Sequence, residues 1–170
     1  MTVRRAWPLS PTAWLLAPMV AAFAASLLLA VPLRVDGLQL PEPVFAFVPA
    51  FAWAIVRPSL LAPLALFVLG LALDLLWGDP PGLWAMSLLV AYGVIFFARR
   101  ILAGQEFVAL WAAYAAACAA AMLVGFALTV LRAGHAPALT GVVLQFLVNA
   151  ALFPFALKLV ERYEAADARY

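Results

Sequence analysis

The stretch Gly70-Leu71-Ala72-Leu73-Asp74-Leu75-Leu76-Trp77-Gly78-Asp79-Pro80-Pro81-Gly82 sets a lone carboxylate inside an apolar run that ends in a Pro/Gly turn. In a helix, positions four apart share a face, so Gly70, Asp74 and Gly78 line one stripe, with the acid approachable between two glycines. Pro80 and Pro81 suit the first turn of a following helix, whose N–H groups have no intrahelical partner, and Asp79 stands where a cap would accept from one of them. Gly82 leaves room for close approach at this end, and Trp77 and Trp84 are placed as interfacial aromatics. A carboxylate in hydrocarbon is costly unless it faces protein, a polar partner or water, so Asp74 is a site candidate. Two readings stand: a polar contact in an outward-facing cavity or subunit seam, and an internal strut accepting hydrogen bonds from the next helix.

The rest of the chain explains why that acid is conspicuous. Of its 170 residues, 69% are hydrophobic and 11% charged, with a mean hydropathy of +1.11; soluble domains run near about 45 to 50% and about 25%. An integral membrane protein is expected, with residues 1 to 170 as a single domain, because no polar stretch approaches the roughly 50 residues of a small soluble domain. The single cysteine, Cys118, lies in an Ala-rich run and reads as buried packing; one cysteine allows no intramolecular disulfide. Arg4, Arg5 and the apolar segment after them resemble a signal peptide, but the apolar stretch continues to Leu33, the length of a first span. The formal charge of +2 does not point to nucleic acid, since in a membrane protein the placement of Lys and Arg outweighs their sum.

At about 20 residues per crossing, six spans are expected, roughly at 12 to 33, 42 to 56, 59 to 78, 82 to 98, 106 to 131 and 138 to 160. Fusing 42 to 78 into one helix would give about 55 Å, far beyond a bilayer core. Arg57-Pro58 therefore reads as a tight hairpin. With the N-terminus inside, the inner segments hold Arg4, Arg5, Arg57, Arg99, Arg100, Lys158, Arg162 and Arg169, and the outer loops hold Arg34 and Arg132. That asymmetry places both termini in the cytoplasm. Asp74 then lies about 21 Å from the inner end of its helix, near the outer surface.

Ala113, Ala117, Ala121 and Gly125 strip one face of the fifth span of bulk, and Ala17, Ala21 and Ala25 do the same in the first; both stripes are expected to pack inside the chain. Gln145 and Asn149, four apart in the sixth span, read as interhelical glue or, alternatively, as a ligand contact. Pro154 is expected to kink that span, and Glu106 to suit a helix N-terminus. The mixed-charge segment 161 to 170 reads as a solvated continuation of the last helix. His135 is the single histidine, with no Cys, Asp or Glu beside it, so no metal site is expected. No nucleophile motif, P-loop or dinucleotide fingerprint is present, and Asp74 has no evident titratable partner, so neither enzyme nor cofactor is expected.

The pattern Gly70-x-x-x-Asp74-x-x-x-Gly78-x-Pro80-x-Gly82 resembles the signature of the rod shape-determining MreD family, and chain length, six expected spans and a short N-terminal stub are similar to it as well. Pro81 stands where such proteins often carry leucine or another apolar residue. The resemblance implies a non-enzymatic scaffold in the bacterial cytoplasmic (inner) membrane. Its partners would be the single-span protein MreC and other members of the elongation complex, cytoskeletal MreB and wall-synthesis enzymes, and its role support of lateral peptidoglycan synthesis. It also implies a fold similar to the substrate-binding components of energy-coupling-factor vitamin transporters, with Gly70, Asp74, Gly78, Pro80 and Gly82 facing a partner or cavity. The alternative is a solute-binding component of such a transporter, with Asp74, Gln145 and Asn149 converging on a small ligand.

Overall fold

A computed structural model describes residues 13–29, 34–35, 38–39, 43–56, 58–134 and 136–167. Arg4, Arg5, Arg57, His135 and Arg169, on which part of the sequence reading rests, lie outside them. The described residues form seven helices: α1 (Ala13–Leu28), α2 (Phe47–Val56), α3 (Leu61–Trp77), α4 (Leu83–Leu102), α5 (Phe107–Ala133), α6 (Leu139–Ala150) and α7 (Phe153–Asp167). Between α1 and α2 lies one small antiparallel ladder of β1 (Arg34–Val35) and β2 (Leu38–Gln39), pairing Arg34 with Gln39 and Val35 with Leu38.

Three helical stretches are long and apolar enough to cross a membrane: Leu83–Leu102, Phe107–Arg132 and Leu139–Glu164. This is a membrane protein. The expectation of six full-length spans is met in part, because Trp14–Leu28, Phe47–Val56 and Leu61–Trp77 are apolar but shorter. In α2 the expected start at 42 gives way to Phe47. Val44 does not enter the helix; its N–H goes to the Asn149 side chain at 2.8 Å, and its carbonyl accepts from Phe47.

The sixth expected span is one apolar rod broken in the middle, at Ala151 and Leu152. Pro154 causes this. It has no N–H to give the carbonyl four residues back, and its ring crowds that carbonyl. The residue four back is Ala150, whose freed carbonyl accepts instead from the Trp111 indole N–H on α5 at 3.2 Å. The kink expected at Pro154 is thus a break sealed by a neighbouring helix. Beyond it, α7 continues to Asp167, so the mixed-charge segment does prolong the last helix.

Without a hydrophobic drive between helices in lipid, association rests on close packing and polar contacts. The core is accordingly aromatic and tight: Phe51 meets Tyr114 and Phe153 edge-on at 5.3 and 5.9 Å, and Trp14 meets Trp53 at 6.1 Å. Of the stripe on α5, Ala117 and Ala121 are buried, with Cys118 beside them, while Ala113 and Gly125 are half-buried and Gly125 lies against Ser87 and Leu83 of α4. In the first span the expectation fails, since Ala17 and Ala21 are exposed and Ala25 is half-buried. Helix α1 contacts α2 and α3 through another face, which carries the buried Trp14, Leu15, Ala22 and Ser26.

Three hydrogen bonds relate the ends of the rods. Arg132 at the end of α5 donates to the Pro81 carbonyl at 2.9 Å, placing the α3–α4 turn and the end of α5 together. At α7 the Tyr163 hydroxyl donates to the Trp14 carbonyl at 2.7 Å and accepts from the Trp53 indole at 3.4 Å, so the start of α1 and the late turns of α7 meet.

Candidate functional site

The site is built where α3 hands over to α4. Helix α3 closes on Gly78, in the left-handed conformation at φ 70°, whose N–H returns to the Asp74 carbonyl; Asp79 N–H reaches the same carbonyl at 3.0 Å. Gly82 enters α4 at φ 94°, a region that L side chains rarely adopt. The first turn of α4 then closes with Leu83 donating to Pro80 and Met86 to Gly82.

Asp74 holds this turn from below. One carboxyl oxygen accepts from Gly82 N–H at 2.7 Å and the other from Trp84 N–H at 2.8 Å, two of the amides a helix start leaves without an intrahelical partner. The side chain is 2% exposed and, among the described residues, is the only charged one that is buried. The cap of α4 is therefore Asp74, not Asp79. Asp79 turns aside to accept from the Trp84 indole N–H at 2.8 Å, because Asp74 reaches the same amides from inside the bundle.

Gly70 explains how the acid gets so close. A methyl group there would overlap the backbone of Ala85 and come 2.8 Å from the carbonyl carbon of Trp84. Helices α3 and α4 thus touch backbone to backbone one turn below Asp74. Gly70 and Gly78 have different duties: the first is required by contact, and the second, with nothing within 4 Å of an added methyl, by its backbone angle. The Trp77 and Trp84 rings pack edge-on at 5.2 Å beside the turn.

Beside this turn lies a cavity of about 460 Å³ bounded by α4, α5 and α6. Asp79, Trp77, Ser87 and Gln145 face it. The Trp77 indole N–H and the Ser87 hydroxyl are buried with no hydrogen-bond partner. Of the acid and amides singled out in the sequence, Gln145 lines this cavity, whereas Asp74 and Asn149 do not. Asn149 is fully buried elsewhere, its oxygen on Val44 N–H and its amide nitrogen unpartnered. The structure therefore does not bring Asp74, Gln145 and Asn149 to one point.

Ser87 escaped the sequence reading, although its approach to Gly125 on α5, 3.2 Å from an added methyl there, is the continuation of the small-residue stripe that reading found. Among the described residues no group of three or more His, Cys, Asp or Glu is arranged to hold a metal ion. No protein-family model matches the chain, and no curated protein or solved structure is significantly similar to it.

Proposed function

We propose that the protein is a non-enzymatic scaffold of the MreD type in a bacterial cytoplasmic membrane, a six-crossing bundle with both termini inside that grips the membrane-proximal part of a single-span, MreC-like partner. The observation that carries this reading is the commitment of Asp74. Both of its oxygens are spent on the backbone of α4, so the buried acid holds a preformed rim and is not offered to a substrate or transported solute. From α2 onward the described residues are helices joined by short links, and a protein of that shape makes its specific contacts within the bilayer or at its rim.

The partner's helix fits the exposed face of α3, where Leu64, Val68 and Leu75 stand out at helical spacing. Through that contact the bundle would join MreB and the wall-synthesis enzymes of the elongation complex. Co-expression with the cognate single-span protein tests this: cysteines placed singly at Val68 and Leu75 should cross-link to it, and its presence should raise the thermal stability of the bundle. Absence of both effects overturns the proposal.

A second reading is favoured by the cavity. Its volume lies within the roughly 300 to 1,000 Å³ of small-molecule sites, and two unpartnered buried donors line it. A solute-binding transport component would use Asp79, Ser87, Trp77 and Gln145 in place of Asp74. It predicts stabilisation by a vitamin-like solute alone, following mass action for a native-state ligand.

A further inference from the structure

A groove of about 380 Å³ runs between α1 and α7, floored by Phe45 and Val48 at the start of α2. At one end the helices are tied by the Tyr163 to Trp14 hydrogen bond. Beside that tie Lys158 and Arg162, one turn apart on α7, both line the groove and both are exposed. Among the described residues neither has an ion pair. Away from them the lining becomes hydrocarbon: Ala21 and Ala25 on α1 face Phe155 on α7, whose ring meets that of Phe45 at 6.0 Å. Two cations at the end of a membrane bundle, opening onto an apolar trough directed toward its middle, match a molecule with an anionic head and a hydrocarbon tail.

We propose that this groove is a binding site for one anionic phospholipid. Lys158 and Arg162 take the phosphate, and an acyl chain lies along the bulk-free face of Ala21 and Ala25 against Phe155. The charge logic is that like charges four residues apart on a helix repel each other, a cost relieved when a shared anion bridges them. The small side chains of α1 have the complementary reason: they leave the trough open instead of filling it with a neighbouring helix. The site is separate from the α3–α4 turn and does not depend on the scaffold reading or on which side of the membrane this end faces.

Native mass spectrometry of the full chain in detergent, with equimolar dioleoyl phosphatidylglycerol and dioleoyl phosphatidylcholine, tests the site. Retention should favour the anionic lipid by about thirtyfold, the factor that corresponds to two cations at about 1 kcal/mol each. K158Q/R162Q should abolish the preference, and A21L, which keeps both charges but narrows the trough, should reduce retention of the anionic lipid. Ala21, Lys158 and Arg162 are all exposed, so the variants should keep the parent Tm. Inorganic phosphate alone should not compete. Equal retention of the two lipids, a preference surviving K158Q/R162Q, insensitivity to A21L, or displacement by free phosphate each overturns the proposal. So does loss of a co-purifying single-span protein in A21L with the lipid preference unchanged, which would assign the trough to a partner's helix.

Discussion

Replacing Asp74 with alanine removes the acceptor of two backbone amides that have no other. The carboxyl's own burial is unfavourable, and its removal would be nearly neutral if its partners could be made apolar too; backbone amides cannot be. The two amides differ in what happens next. Gly82 is half-buried, so water reaches its N–H at a cost of about 1 kcal/mol, whereas Trp84 is buried and its stranded N–H costs about 2 to 3 kcal/mol. The expected loss is about 3 to 4 kcal/mol, a fall in Tm of about 10 °C for a chain of this size. Asp74→Asn is nearly isosteric yet should lose most of the same stability, because one amide then faces an NH2 group. Thermal unfolding in detergent, followed by tryptophan fluorescence, measures both, and hydrogen exchange should show the Gly82 and Trp84 amides losing protection first. A Tm within about 2 °C of the parent for Asp74→Ala would refute the strut, and with it the argument that this acid is unavailable to a ligand.

The same geometry sets other outcomes. Gly70→Ala forces α3 and α4 apart at Ala85 and should cost about 3 kcal/mol, the upper end for overpacking, read as a lowered Tm with loss of the Trp77–Trp84 fluorescence signature. Gly82→Ala has open space around it but a φ of 94° and should lose about 1 to 3 kcal/mol through backbone strain. Gly93→Ala, equally open and inside α4, should gain about 0.4 to 1 kcal/mol; thermal melts of the pair separate conformational strain from contact. Asn149→Leu leaves the Val44 N–H without its acceptor and should lower stability by about 1 to 3 kcal/mol, with faster exchange of the Val44 amide.

Composition and hydrophobic run lengths suffice to establish an all-helical membrane protein, because lipid leaves the backbone no water to bond and so only helices or closed barrels satisfy it. Spacing within Gly70 to Gly82 placed glycines and acid on one face, and the Pro/Gly turn marked where one helix stops and the next starts. Which acid caps α4 was not legible. Asp74 and Asp79 are both near the turn in sequence, and only the backbone contact at Gly70 brings the more distant one within 2.8 Å of the amides. The partners of Asn149, and the seal of Trp111 on the carbonyl freed by Pro154, depend on residues 105 and 39 positions away. The exposed stripe of Ala17 and Ala21 looks in sequence like the buried one of Ala117 and Ala121. Periodicity defines a face, and only the arrangement of neighbouring helices decides whether that face is covered.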